Sequence, residues 1–187
     1  FRYGLVHETV QEVEVLTGAG EIILASPDNE HRDLFYALAN SYGTLGYALR
    51  VRVKIVKVEP FVELNYLRFN DRNEYYQSLQ KICLDNKSAG EVDFVEGVVF
   101  SDTNYVISLG KFCKQAPKTS NYKFMSPYYK SLLKRDNDYL TTYDYIWRWD
   151  ADWFWCSKIF GMQNKFLRFV LGKWMLKSTS YNKIFTC

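Results

Sequence analysis

The residues most able to do chemistry fall into two groups. The first is Gly43-Thr44-Leu45-Gly46, followed by Tyr47 and Ala48. Two glycines three positions apart let a backbone turn tightly and approach a ligand closely, because glycine has no Cβ in the way. Backbone N–H groups in such a turn make an anion-friendly concavity. The same pattern also describes a helix C-cap glycine with a turn into a strand, so the loop takes its meaning from its flanks. The second group is Tyr145-Ile146-Trp147-Arg148-Trp149-Asp150. Read as extended chain, it places Tyr145, Trp147 and Trp149 on one face and Ile146, Arg148 and Asp150 on the other. Arg148 is the candidate catalytic residue, able to hold a polar group of a substrate. The three aromatics are candidates to bind a flat, apolar substrate. An aromatic core strand with a surface Arg–Asp pair is the competing reading.

Other chemistries find little support. No nucleophile–His–acid constellation or carboxylate pair stands out. Cys83, Cys113, Cys156 and Cys187 are far apart, and with only His7 and His31 beside them no metal site is expected. The thiols read as reduced and mostly buried, as in a cytoplasmic compartment. A net charge of +3 argues against a nucleic-acid partner. The Arg50, Arg52 and Lys54 stripe reads as a solvated strand face that also protects an edge. No apolar run is long enough to span a bilayer. The chain opens on Phe1 rather than Met, as a piece of a longer polypeptide would.

The elements that must position these groups follow from the patterning. Val13 and Val15 alternate with Glu12 and Glu14, and a Thr17–Gly20 turn returns the chain through Ile22, Ile23 and Leu24 as a hairpin. A helix follows, with Asp28 or Asn29 as cap and Leu34, Phe35 and Leu38 as apolar face. After the glycine loop, residues 48–59 alternate and then change phase, which predicts a β-bulge near Ile55-Val56. Pro60 closes a first domain, 1–60. The second, 61–187, reads strand (Phe61–Phe69), helix (capped at Asn70-Asp71, to about Asn86) and hairpin (Val92–Phe100, Tyr105–Phe112). That is half of a ferredoxin-like split βαβ. An irregular connection, a short helix from Pro127, the aromatic segment Tyr139–Trp149 and a helix over Lys165–Leu176 complete the pattern. The last is basic and amphipathic, compatible with peripheral membrane contact, although packing on its own domain is the more usual fate.

In order, Tyr3-Gly4, the TGAGE-type turn, Asp33-Leu34-Phe35-Tyr36-Ala37-Leu38, Ser41-Tyr42-Gly43-Thr44-Leu45-Gly46 and the basic strand resemble the second half of the FAD-binding domain of the vanillyl-alcohol-oxidase (PCMH-type) flavoproteins. The glycine-loop variant, Tyr145–Trp149, Trp153-Phe154-Trp155 and Phe166-Leu167-Arg168-Phe169 are similar to the Δ24-sterol-reductase-like branch. The resemblance implies an α+β chain: part of an FAD domain followed by a substrate (cap) domain. It implies non-covalent FAD against Gly43, Thr44, Gly46, Tyr47 and Ala48, with Tyr3 and Gly4 nearby, and hydride transfer to or from an apolar, sterol- or lipid-like substrate. Tyr47 departs from the small aliphatic residue usual there. The family's other phosphate-binding loop is absent from the 187 residues, so the chain alone is expected to bind FAD poorly or not at all. A truncated flavoprotein module serving as an interaction or membrane-surface domain is the alternative.

Overall fold

Alternating valines and glutamates set the architecture of the first unit. The computed structural model describes residues 4–123, 125–150, 161–162, 164–176, 178–179 and 183, and contacts divide the chain into Phe1–Lys57 and Val58–Cys187. In the N-terminal unit, strands β1 (Val10–Leu16), β2 (Ile22–Ala25) and β3 (Tyr47–Val53) form an antiparallel sheet in the order β2-β1-β3. Val13, Val15 and Ala25 turn inward against Phe35 of helix α1 (Arg32–Leu38). Glu12 and Glu14 occupy the other face, where they pair with Arg52 at 2.8 Å and Arg50 at 3.3 Å. The basic stripe is thus one side of a cross-strand ion-pair ladder.

Two local expectations change here. The helix is not capped by the side chain of Asp28 or Asn29, for it begins only at Arg32. Asn29 instead ties the approach together: its Oδ1 accepts from the N–H groups of Ser26 and His31, and its Nδ2 donates to the Leu24 carbonyl. This local side-chain bonding competes with helix initiation and delays it. The bulge near Ile55-Val56 is also displaced. The β1–β3 register slips at Gln11 and at Leu49, and β3 ends at Val53. Its partner β1 begins at Val10, so beyond the Lys54 N–H, which reaches the Thr9 carbonyl at 2.8 Å, β1 has no strand to offer.

The C-terminal unit holds β4 (Phe61–Phe69), α2 (Arg72–Ala89), β5 (Phe94–Ser101), β6 (Asn104–Cys113), α3 (Tyr128–Leu132), β7 (Asn137–Thr141), α4 (Thr142–Ile146) and α5 (Lys165–Met175). The antiparallel order β5-β6-β4-β7 places β6 between β4 and β5, the split βαβ arrangement. Asp71 caps α2 by accepting from the Glu74 N–H at 2.8 Å, and Gly90 ends it in the left-handed conformation. Alternation along the strands builds two cores. Tyr105 and Ile107 face Tyr75 of α2, while Val62, Leu64, Tyr66, Val106 and Leu140 pack with Tyr122, Tyr128, Leu132 and Tyr145. Gly97 passes beneath the Tyr75 hydroxyl, where a side chain would collide.

The aromatic segment departs most from expectation. Tyr139–Trp149 is not one extended stretch: β7 stops at Thr141, whose Oγ1 accepts from the Asp144 N–H at 3.0 Å and starts α4. The chain then turns through Trp147–Trp149. An N-cap threonine with an acid in the first turn outweighs the β propensity of Tyr, Ile and Trp.

Candidate functional site

The glycine loop lies between α1 and β3 and carries an unusual run of left-handed backbone. Asn40 (φ 62), Tyr42 (φ 51), Gly43 (φ 80) and Gly46 (φ 143) all have positive φ. Asn40 follows the end of α1, so neither glycine serves as the helix cap. The two glycines are needed for different reasons. A Cβ on Gly46 would stand 2.6 Å from the Leu16 carbonyl oxygen and 2.7 Å from Val15 Cγ1, so Gly46 seats the loop on β1. Around Gly43 only the Tyr47 ring comes near, at 3.6 Å. Thr44 closes the turn internally, donating from N–H (2.9 Å) and hydroxyl (2.6 Å) to the Ser41 carbonyl. Among the described residues, the N–H groups of Tyr42, Gly43 and Leu45 find no backbone acceptor.

Beside this loop lies a concavity of about 830 Å³. Val10, Val13, Phe35, Tyr36, Leu38 and Val51 give it an apolar lining, and Ser41, Tyr42, Gly43, Gly46, Tyr47 and Ala48 form the loop side. Gly43, Gly46, Tyr47 and Ala48 are therefore brought together, whereas Thr44 is turned into the loop. Gly4 has positive φ and lies against Glu8; Glu8 and His7, rather than Gly4, reach the concavity. Tyr3, with Arg2, falls outside the described residues, as do Trp153-Phe154-Trp155, Cys156 and Cys187. His7 and Glu8 carry no sequence pattern that would assign them to this lining. The lining by Phe35 and Leu38 was legible as a helix face.

The second group is rearranged by the helical turn. Tyr145, Arg148 and Trp149 converge instead of alternating. Tyr145 is 5% exposed and belongs to the core, while Trp147 is 46% exposed. Arg148 donates from Nη2 to Glu96 Oε2 at 3.0 Å and from Nη1 to the Tyr145 carbonyl at 2.7 Å. Its guanidinium stands 3.9 Å from the Tyr145 ring centroid and 5.2 Å from that of Tyr128. The Trp149 indole N–H donates to Glu96 Oε1 at 3.0 Å. Arg148 is thus an anchored cation, and its buried Nε meets no hydrogen-bond partner among the described residues. Burial works most strongly against its charge, but Glu96 together with Tyr145 and Tyr128 outweighs it and leaves its pKa raised. Trp147 and Arg148 line a smaller hollow of about 390 Å³ with Tyr122, Lys123, Tyr143, Asp144 and Asp150.

Tyr122 connects this hollow to a buried polar cluster. Asp138 accepts from Ser120 (2.5 Å), Tyr122, Arg135 (2.9 Å) and its neighbour's N–H. Tyr66 contributes a buried hydroxyl with no hydrogen-bond partner among the described residues. Burial pushes the pKa values of Tyr66, Tyr128 and Tyr145 above the ordinary tyrosine range. Burial likewise raises those of the half-buried free thiols Cys83 and Cys113.

No protein-family model matches the chain. It is 30% identical over 196 residues to the Delta(24)-sterol reductase of Arabidopsis thaliana, covering 93% of this chain and 34% of that protein. The human Delta(24)-sterol reductase is 29% identical over 145 residues, or 75% of this chain and 26% of the relative. Cytokinin dehydrogenase 3 of Arabidopsis thaliana is 36% identical over 104 residues, covering 54% of this chain and 19% of the relative. The chain spans about a third of the length of the sterol reductases it matches.

Proposed function

The chain belongs to the PCMH-type FAD-binding oxidoreductases, on the Δ24-sterol-reductase-like branch, and we propose that it supplies one wall of an FAD site and the substrate domain of such an enzyme. The observation that carries this reading is the Gly43–Ala48 loop beside an apolar concavity. The fit to FAD is chemical. Unpaired N–H groups at Tyr42, Gly43 and Leu45 suit the pyrophosphate, and the Phe35, Val13 and Val51 surface suits the flat, apolar parts of the dinucleotide. FAD, when bound, supplies the hydride chemistry at N5. The chain's own part is to hold the dinucleotide at this loop and to present an apolar, sterol- or lipid-like substrate from residues 61–187.

Within that domain we assign Trp147 to substrate contact, since its indole is open to the smaller hollow. Tyr145 and Trp149 do not line that hollow, since Tyr145 is buried in the core and the Trp149 indole is held by Glu96. Arg148, held by Glu96 and two tyrosine rings, serves as a fixed positive charge at its rim.

The test is expression of the full open reading frame containing this chain. Flavin released by denaturation should be FAD, in near-stoichiometric amount. The reduced holoenzyme, kept anaerobic, should be reoxidised by a Δ24-unsaturated sterol. A folded, colourless protein that takes up no FAD would defeat the reading. FAD with no sterol response would defeat only the substrate assignment.

A further inference from the structure

Helix α5 is assembled inside out. Its N-cap Asn164 accepts from the N–H groups of Phe166 and Leu167, so the helix is properly begun. Arg168 is nevertheless the buried residue, 3% exposed, with its guanidinium donating to the Met162 carbonyl, and Gly172 one turn on is buried too. The opposite stripe is apolar and open: Phe166 is 72% exposed, Phe169 68% and Val170 52%. The apolar face that the sequence puts together here is also open, with Leu167 38% exposed, Val170 52% and Leu171 42%, so the expectation that it packs on its own domain is not met by these side chains. Solvent exposure of two phenylalanines on one helical face is unfavourable in water, which marks the stripe as a contact surface.

We propose that this face of α5 docks on an anionic lipid bilayer, lying in the headgroup layer with Phe166, Phe169 and Val170 inserted. The charge of the surrounding sequence selects this occupant. From residue 151 to 187 the lysines Lys158, Lys165, Lys173, Lys177 and Lys183 face a single acid, Asp152. Lys165 stands exposed at the start of the helix. A second copy would bring like charges together, whereas an anionic surface neutralises them. Exposed phenylalanines in a lysine-rich segment are the composition of an interfacial helix. Among the described residues no helix is long and apolar enough to cross a membrane, so the contact is with the surface. The inference stands apart from the flavin reading.

The experiment is co-sedimentation of the 187-residue chain with vesicles of phosphatidylcholine, with and without roughly one-third phosphatidylserine, a range over which anionic charge dominates attraction. Partitioning is expected onto the anionic vesicles, weakening as salt is raised and on neutral lipid. The Phe166→Ser/Phe169→Ser variant alters two exposed side chains and should keep its near-ultraviolet dichroism while losing about tenfold or more in partitioning. Absence of sedimentation with anionic vesicles overturns the proposal, as does undiminished binding by the variant. Self-association seen by sedimentation velocity, abolished in the variant and with no vesicle binding, overturns it in favour of a second copy.

Discussion

Removing Glu96 tests the assignment of Arg148 as an anchored charge. In the folded unit one carboxylate receives Arg148 Nη2 and the Trp149 indole N–H, both at 3.0 Å. The Arg148 side chain is 11% exposed and that of Glu96 24%. Breaking a fully buried ion pair by deleting one partner costs about 3–5 kcal/mol, mostly because the surviving charge is left uncompensated. Partial exposure of Glu96 sets this pair at the low end. A charge-assisted bond of about 2 kcal/mol and an indole bond of about 1 kcal/mol lead to the same figure. Glu96→Ala should therefore destabilise by about 3 kcal/mol, roughly a hundredfold in the folding equilibrium.

The assay is urea denaturation followed by tryptophan fluorescence. Glu96→Gln keeps an acceptor for Trp149 and should lose only about half as much. The sharper control is the pair Glu96→Ala/Arg148→Met. If the penalty is an orphaned cation, removing that cation recovers stability, and the double variant should exceed Glu96→Ala alone. A Glu96→Ala protein within about 0.5 kcal/mol of the parent with an unchanged denaturant slope would refute the reasoning. So would strict additivity in the double variant.

Three further outcomes are expected. Gly46→Ala should destabilise the N-terminal unit by 2 kcal/mol or more, roughly the scale of an overpacked, strained site, because its Cβ would meet Leu16 and Val15; Gly43→Ala should cost only about 1 kcal/mol, while flavin retention by the full-length protein falls in both. Asp138→Asn should cost about 2–3 kcal/mol by thermal or urea unfolding, since Arg135, Ser120 and Tyr122 all converge on that carboxylate. The tyrosines give a pH dependence whose sign is fixed: Tyr66, Tyr128 and Tyr145 have folded-state pKa values raised by burial above the ordinary 10.0. Their contribution is intact below pH 10 and is lost as the pH climbs toward the folded values, where only the unfolded chain ionises first. Stability by urea titration should fall steeply above that point. Tyr66→Phe, which deletes an unpartnered hydroxyl, should be neutral or stabilising by up to about 1 kcal/mol and should flatten the fall.

Much of the scaffold was legible because its signals are local and repeat. Val13 and Val15 against Glu12 and Glu14 gave the buried face of β1 by period alone, and the pair Asn70-Asp71 announced α2, with Asp71 the member whose side chain accepts the capping bond. The β-α-β-β order likewise fixed how β6 must lie between β4 and β5. What failed was decided across the chain. The phase change at Ile55-Val56 is real in the sequence, but a bulge requires a partner strand, and β1 begins too late to provide one. The slips fall at Gln11 and Leu49, where neither residue type warns of them.

The site follows the same division, and the case of Arg148 shows why. As a strand, Tyr145–Asp150 would have put arginine and tryptophans on opposite faces, with the cation free to meet a ligand. One threonine hydroxyl, accepting from the Asp144 N–H, converts the segment to a helical turn and brings Arg148 and Trp149 to the same carboxylate, with the Tyr145 ring against the guanidinium. Nothing within the hexapeptide names Glu96, which lies 52 residues earlier on β5. The loop around Gly43 was different, since its demand for positive φ is written in glycine itself. A backbone-built site can be read from a few adjacent residues, whereas a side-chain charge acquires its role only from the tertiary partner that receives it. Arg148 is therefore best placed as a residue whose charge is fixed before any ligand arrives, and the Glu96 variants measure how firmly.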